Sequence, residues 1–391
     1  MTGVPWLTCL RVPREEHFTS RLRSPAISAR IGVWLGICFL VAFGTGLVSH
    51  VAQSPTPWFP LPTRPSWGYR ITQGLHVLSG IAAIPLLLVK LWSVFPRLFA
   101  RIPRGRRELA LVAVERGSVA VLVASSVFQL ASGVANSAQW YPWSFQFRAT
   151  HFALGWVAIG ALLVHVAVKL PLIRDALLRP VEDASLDRSS ATASGALTRR
   201  ALLRSTWVAA GAAVVLSAGS AVPLLRKVSV FGVRSGQGPQ GVPINTSAAA
   251  AGVAVLALDP TYRLVLSSGR RTVELTLEDL AALPQTSAEL PIACVEGWSA
   301  SGMWTGLRVR DLMGLVDADD RDVRVVSLQE DGPFRETTLP AHFARDPLTL
   351  LALRLNGEEL SIDHGYPVRL IAPNRPGVLQ TKWVTRLEAA S

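Results

Sequence analysis

The chain has 391 residues, half of them hydrophobic and only 17% charged, against about a quarter charged in an ordinary soluble domain. Its net charge of +12 would suit a nucleic-acid binder, but the distribution excludes one. Residues 226–391 hold 17 Lys/Arg against 19 Asp/Glu, so the first 225 residues carry the whole excess, 22 against 8.

The tail, residues 1–30, contains five arginines and is expected to be cytoplasmic. Five apolar stretches follow, 31–52, 71–95, 109–133, 149–173 and 206–225, each close to the roughly 20 residues of a membrane-spanning helix. Arginines cluster in alternate connections, five in "FPRLFARIPRGRRE" and six between Arg174 and Arg204. The other connections, "SPTPWFPLPTRPSWGYR" and "NSAQWYPWSFQF", hold only Arg64 and Arg70, with Arg148 ending the second, and are rich in Trp, Tyr and Pro. Lys/Arg excess marks cytoplasmic loops, and aromatic residues gather at the membrane–water interface. The N-terminus is therefore placed inside the plasma membrane and everything after the fifth span outside.

Ionisable side chains in hydrocarbon are costly and point to function. Four of the seven histidines fall in or at spans: His50, His76, His151 and His165. Spans two and four both enter from outside. His76 in "ITQGLHVLSG" and His151 in "RATHFALGW" then lie at matching depth, about two turns below the outer surface. Two imidazoles facing each other at one depth are what a six-coordinate b-type haem requires, and Gly74, Gly80 and Gly155 would let a flat macrocycle approach the backbone. Hydrogen-bonded packing is the alternative. His165, 14 residues after His151, falls on nearly the same face about 21 Å deeper and invites a second haem. Span one offers no inner histidine to match it, since His50 is at its outer end and His17 lies in the tail.

The strings "GLHVLSG" and "THFALGWVAIGALLVHVAVK" resemble the membrane cytochrome b subunits of formate dehydrogenases and hydrogenases. The resemblance covers roughly residues 31–175 and implies a four-helix haem module in which His76 pairs with His151. His165 matches a further ligand of that family, while the ligand at the cytoplasmic start of span one has no clear counterpart. Residues 176–198 read as a polar cytoplasmic linker. The next segment, 199–225, opens with "TRRALLRSTWVAAGAAVV" and resembles a twin-arginine export signal placed internally. An ordinary arginine-flanked helix is the other reading. The export route carries domains already folded around a cofactor, and the resemblance implies its machinery as a partner.

The domain 226–391 contains one cysteine, Cys294, in "PIACVEGWSASGMWTG". Outside the cell cysteines are usually paired. A lone one is buried as a small hydrophobe, serves as a nucleophile beside a His and an acid, or binds a metal. The pattern predicts a strand ending at Cys294, then a polar turn and a stretch of small residues, then a helix from Val309 to Leu315.

That string, in which Trp304-Thr-Gly306 follows the cysteine, and "DHGYPVRLIAPNRPGVLQTKWVTRLE" near the C-terminus together resemble the sulfite oxidase fold of molybdopterin-binding oxidoreductases. Over about 240–388 the resemblance implies that the Cys294 thiolate is the protein ligand to molybdenum. It implies His364 and Arg369 on the pterin and its phosphate, and Lys382 with the backbone of Gln380 and Thr381 on the other side. Ser327 of "VVSLQ" would lie near the cofactor and Asn245 of "GVPINTS" in the loop toward the metal. Arginine's forked donors suit a phosphate, and lysine acts as a point charge. Sulfite oxidases place an arginine just after the cysteine for their anionic substrate. Here Glu296-Gly297-Trp298 stands there, which moves the resemblance toward periplasmic reductases that repair methionine sulfoxide.

The expected fold class is mixed: an all-α transmembrane bundle of four helices with a fifth tethering helix, then an α+β sulfite oxidase-like domain. The expected function is electron exchange between a membrane quinol, through haem b, and a small extracytoplasmic S- or N-oxide. A sulfur-compound dehydrogenase feeding the respiratory chain and a non-catalytic membrane sensor are the alternatives.

Overall fold

The computed structural model describes residues 13–56, 59, 61–232 and 238–390. Arg11 of the tail and Pro57, Trp58 and Pro60 of the first outer connection lie outside these residues. Five helices are long and apolar enough to cross a membrane: α1 (Pro25–Ala52), α2 (Gly68–Val94), α3 (Arg106–Ser137), α4 (Phe147–Leu178) and α5 (Arg199–Ser217). Helices start ahead of the apolar runs because local capping starts them. The Ser24 hydroxyl accepts from Ile27 N–H at 3.3 Å ahead of Pro25, and the Thr198 hydroxyl accepts from Ala201 N–H at 3.1 Å. Pro85 and Pro171 sit inside α2 and α4, as membrane helices tolerate.

The chain forms two compact units. The first comprises Met1–Val41, Ser79–Gly133 and Phe145–Val214. Its core sets Ile27, Ile31 and Leu35 of α1 against Ala83, Leu86 and Leu87 of α2, stripes at helical spacing. Leu88, Leu111 and Val114 are left exposed, as on helices whose outer face meets lipid. At the start of α5, Arg199 is buried, pairs with Asp187, and donates to the carbonyls of Val181 (3.1 Å) and Asp183 (2.8 Å). A buried charge needs such partners. Arg200 stays exposed.

The second unit comprises Ala42–Leu78, Val134–Ser144 and Val215–Ser391. Its strands are β1 (Leu264–Ser267), β2 (Thr272–Leu275), β3 (Thr286–Ala293), β4 (Ser299–Arg308) and β5 (Val323–Ser327). They continue with β6 (Glu336–Leu339), β7 (Leu350–Leu355), β8 (Glu358–Glu359), β9 (Arg369–Ile371) and β10 (Val384–Ala389). One sheet runs β2-β1-β10-β5-β6, with β1 parallel to β10. The other runs β3-β4-β7-β8, with β9 on β7. Alternation drives the first sheet: Leu264, Leu266, Val323, Val325 and Leu387 all point into one core with Leu312 and Met313 of the helix Val309–Gly314. Leu290, Ile292, Trp304, Leu350 and Ile371 fill the second core.

The stretch 299–308, expected as a run of small residues before the helix, is instead the ten-residue strand β4. Its small residues serve close approach: a Cβ on Gly306 would overlap the Leu351 carbonyl on β7, where the register shifts. β3 and β4 pair along their whole length, from Thr286↔Gly306 to Ala293↔Ser299. Cys294 therefore sits at the tip of the hairpin.

Candidate active site

The hairpin tip is closed by its own backbone. Cys294 N–H donates to Trp298 O at 2.9 Å, and Gly297 N–H to Cys294 O at 3.0 Å. Gly297 has φ +85°, a left-handed conformation that glycine adopts without strain. Cys294 is 2% exposed and belongs to the β-sheet core. Burial pushes its thiol up, the Glu296 carboxylate pushes it further, and the Lys382 charge opposes both.

Three nitrogen groups converge with this thiol. Arg369, on β9, stacks its guanidinium 5.3 Å from the Trp304 ring and donates from Nη1 to His364 O at 3.0 Å. Its Nε is buried without a hydrogen-bond partner among the described residues. Burial lowers this guanidinium to about 10, against a Coulombic pull upward from Cys294. His364 donates from Nε2 to Pro239 O at 2.8 Å, and burial together with Arg369 lowers its ring to about 4, so it is neutral. Lys382 donates from Nζ to Thr246 O (2.5 Å) and Asp363 O (2.9 Å). Burial and then the Arg369 charge lower it to about 7. Gly365 (φ +111°) makes this packing possible, because a Cβ there would stand 3.0 Å from Lys382 Cβ.

A cavity of about 220 Å³ opens beside the cluster, lined in part by Asn245, Thr246, Gly377, Gln380, Thr381 and Lys382. Gly377 links it to the cysteine: a Cβ there would lie 3.0 Å from the carbonyl of Ala293, the residue before Cys294. Among the described residues neither Arg369 nor Lys382 has an ion-pair partner. Asp363 and Glu296 act on Lys382 only at a distance, so the site offers buried cationic groups without a paired carboxylate among the described residues, as a pocket for an anionic ligand would.

Residues 251–391 match the family model described as the oxidoreductase molybdopterin binding domain. The C-terminal half is such a domain. Two relatives frame it. The chain is 34% identical over 112 residues to the putative protein-methionine-sulfoxide reductase subunit YedZ1 of Azospira oryzae, covering 29% of this chain and 42% of the relative. It is 30% identical over 155 residues to mitochondrial sulfite oxidase of Drosophila melanogaster, covering 33% of this chain and 27% of the relative. Among solved structures, the sulfane dehydrogenase SoxCD from Paracoccus pantotrophus matches at 21% identity and a TM-score of 0.32, over 40% of this chain and 44% of that one. The chain thus spans less than half the length of each.

The molybdopterin-binding domain has residues that fit its cofactor. The Arg369 Nε left without a partner among the described residues, the carbonyl-bound Lys382 ammonium and the cavity beside it suit a phosphate-bearing pterin, and the Cys294 thiol would offer a soft sulfur to a metal. Asn245, Gln380, Thr381 and Lys382 meet at the cavity. Cys294, His364 and Arg369 are buried and are not among the residues lining it. The side chains of two of the predicted residues hold the fold. The Gln380 amide accepts from Ala372 N–H (2.7 Å) and donates to Ala372 O (2.9 Å), and the Ser327 hydroxyl donates to Lys382 O (2.8 Å). Thr381 shares its hydroxyl with Thr337 at 3.1 Å.

The membrane histidines belong to different units, His76 to the second and His151 and His165 to the first. His76 donates from Nδ1 to Ala42 O at 2.8 Å. His151 shares a hydrogen bond at Nδ1 with the Ser132 hydroxyl at 3.1 Å. A second partner of this kind fixes the orientation of a metal-ligating ring. Open space lies beside Gly74 and Gly80, whereas a Cβ on Gly155 would meet Gln129 Nε2 at 3.0 Å. His165 lies within electrostatic reach of Lys90, Lys169 and Glu115.

Sequence reasoning passed over Gln73 and Asn136. Both are buried and both donate to the Val295 carbonyl, at 3.4 and 2.9 Å. Their signal was an uncharged amide inside or at the end of an apolar span.

Proposed function

We propose that the chain is a membrane-anchored molybdenum oxidoreductase that reduces a small extracytoplasmic S- or N-oxide, of the methionine sulfoxide type, with electrons from membrane quinol. The observation that carries this reading is the buried cluster of Arg369, Lys382 and His364 around Cys294, in which neither Arg369 nor Lys382 has an ion-pair partner among the described residues, beside a cavity that Lys382 lines. Bound molybdenum-molybdopterin supplies two-electron oxygen-atom exchange. Arg369 and Lys382 would hold the anionic pterin. Cys294 would bind the metal as a thiolate, giving up the proton that burial and Glu296 favour on the free thiol. A carboxylate two residues from the ligand repels an anionic substrate such as sulfite and tolerates a neutral oxide, which favours reduction of an oxide over sulfite-type oxidation.

One haem b is assigned to His76 and His151, supported by their matching depth in the sequence and the hydrogen bond at Nδ1 of each ring. His165, surrounded by charged side chains, is not given a second. The arginine asymmetry supports a plasma-membrane chain with a cytoplasmic N-terminus (1–30), a haem module (31–175), a cytoplasmic linker (176–198), a tethering helix (199–225) and an extracytoplasmic domain (226–391). The Arg199-Arg200 pair supports twin-arginine export of that domain. The test is molybdenum and pterin content of the purified protein, with product analysis using reduced and oxidised mediators. Stoichiometric metal with oxide consumed under reduced mediator is expected. A metal-free protein would leave the sensor reading, and turnover only with oxidised mediator would leave the dehydrogenase.

A further inference from the structure

Within the first compact unit, α5 meets α1 and α2 at a seam that its own side chains do not fill. Leu203, Thr206 and Ala210 share one face of α5, at the i, i+3, i+7 spacing of a helix stripe. Leu203 packs against the α1–α2 core, and Thr206 and Ala210 are buried. Beyond Leu203 the stripe is small. A cavity of about 130 Å³ is left there, lined in part by Arg30, Trp34, Leu86, Leu203, Thr206 and Trp207. It takes a short run of methylenes, since a cavity of about 150 Å³ holds benzene. The Trp34 and Trp207 rings meet edge to face with centroids 4.6 Å apart. Trp34 is 47% exposed and Trp207 39%, so this wall faces lipid.

Two arginines stand one turn before that aromatic wall. Arg30 precedes Trp34 by four residues on α1, and Arg204 precedes Trp207 by three on α5, the spacings at which helix side chains are neighbours. Each lies five residues after the start of its helix, at Pro25 and Arg199. The ring contact therefore sets the two cations at matching depth, about 8 Å along the axis, with side chains leaning toward the helix starts. Three N–H groups of Arg30 donate to carbonyls: Nη1 to Ala26 O (3.1 Å) and Ala176 O (2.9 Å), and Nη2 to Arg179 O (2.7 Å). The rest of its fork is left for a ligand. Among the described residues neither Arg30 nor Arg204 has a carboxylate partner. Thr206 turns its hydroxyl to its own helix, donating to Leu202 O at 2.8 Å.

The seam thus joins a cationic mouth to an apolar interior. A phospholipid has the same division, phosphate first and methylenes after it. A quinone head is uncharged and would leave both arginines unmatched. Basic pockets between membrane helices on the cytoplasmic side hold anionic headgroups in this way.

We propose that the seam between α1, α2 and α5 binds one anionic phospholipid, its phosphate on Arg30 and Arg204 and chain methylenes in the cavity behind Trp34 and Trp207. The lipid fastens the tethering helix to the bundle where the small side chains of α5 do not. The proposal rests on reading the helices as membrane spans, with their starts cytoplasmic, and not on the haem or molybdenum assignments.

The experiment uses the full chain in detergent. Co-purifying phospholipid and quinone are first counted by mass spectrometry. Lipid-stripped protein is then titrated with phosphatidylglycerol, phosphatidylcholine or inorganic phosphate while thermal unfolding is followed. Expected are one retained anionic phospholipid per chain and stabilisation by phosphatidylglycerol alone. Arg204 is exposed, so Arg204→Gln should leave the fold intact and weaken phosphatidylglycerol binding roughly five- to tenfold. Arg204→Lys should restore it, and Trp207→Leu should weaken it through the wall of the cavity. Arg107→Gln, which removes an exposed arginine of α3, should bind as wild type does. Equal stabilisation by phosphatidylcholine, or the same shift with inorganic phosphate, would overturn the proposal without any variant. So would a quinone retained in place of phospholipid, wild-type affinity in Arg204→Gln or Trp207→Leu, or equal weakening in Arg107→Gln.

Discussion

Replacing Arg369 by Met should affect the cofactor-free and loaded proteins differently, and the structure sets the sizes. The side chain is 5% exposed. Its guanidinium lies at about 10 rather than 12.5, and that shift corresponds to an order of 3 kcal/mol of desolvation cost for the charged form. Against it stand one hydrogen bond to His364 O at 3.0 Å and the Trp304 ring at 5.3 Å, which return about 2–4 kcal/mol together. The two nearly cancel, so in cofactor-free protein a methionine of similar length should change stability by no more than about 1 kcal/mol. In loaded protein the same change removes a charge-assisted contact to phosphate, about 2–3 kcal/mol, or roughly a 30- to 150-fold loss of cofactor affinity. Thermal unfolding of protein from a cofactor-deficient host and from a normal one, with pterin content beside it, reads both numbers. Arg369→Lys should fall between, since it keeps the charge and loses the fork. Equal destabilisation of both forms would refute the reasoning and leave Arg369 as a packing residue over Trp304.

Cys294→Ser should fold and retain pterin yet lose the metal–sulfur signature in X-ray absorption and all turnover, because an alcohol does not replace a soft thiolate; full activity would return Cys294 to the hydrophobic core. His76→Ala and His151→Ala should each abolish a low-spin b-type haem spectrum, while His165→Ala leaves it intact; unchanged spectra in the first two would remove the haem. Lys382 lies at about 7 against an ordinary 10.5, so the unfolded chain binds its extra proton between those values and cofactor-free stability rises with pH across that window. An anionic ligand restores the proton, so cofactor retention should fall about tenfold per pH unit above 7, and Lys382→Met should make it pH-independent.

The five spans were legible because lipid demands long unbroken apolar helices, and Cys294 because the residues around it repeat a family's signature. Other features could not be read. β4 looks like a loop in sequence, since Ser299, Ala300, Ser301, Gly302 and Gly306 are weak strand formers. Their smallness serves a close approach that only the partner strands reveal, Gly306 against Leu351 and Gly302 against Leu355. Gln380 and Thr381 were placed at the cavity for their backbone, and the structure explains why their side chains take no part: each is already hydrogen-bonded within the fold. Nor does Arg199 read as buried beside Asp187 from a polar linker; that pairing closes over a 12-residue separation in the chain.

Gln73 and Asn136 were invisible for a deeper reason, and it bears on how the two halves of such a chain must have come to fit. An amide in an apolar helix has no favoured partner in sequence, and its cost in hydrocarbon is removed only if something polar meets it. Here the partner is a main-chain carbonyl in the molybdopterin-binding domain, more than 150 residues away, so no local pattern could register it. The helix ends and the strand domain cluster as one unit for the same reason: Tyr69 N–H donates to the Asn374 side chain at 2.5 Å, His342 Nε2 to Leu61 O at 2.9 Å, and Thr338 N–H to Pro55 O at 2.9 Å. These contacts satisfy backbone and amide groups that neither segment satisfies alone. A domain docked only by charge would dissociate as salt rises, whereas one docked by buried, reciprocally satisfied amides keeps its cysteine loop at a fixed place on the helix ends. His76 lies three residues beyond Gln73 on the same helix, so a fixed loop also means a fixed separation between the proposed haem ligand and the proposed metal ligand, which electron transfer between them would require.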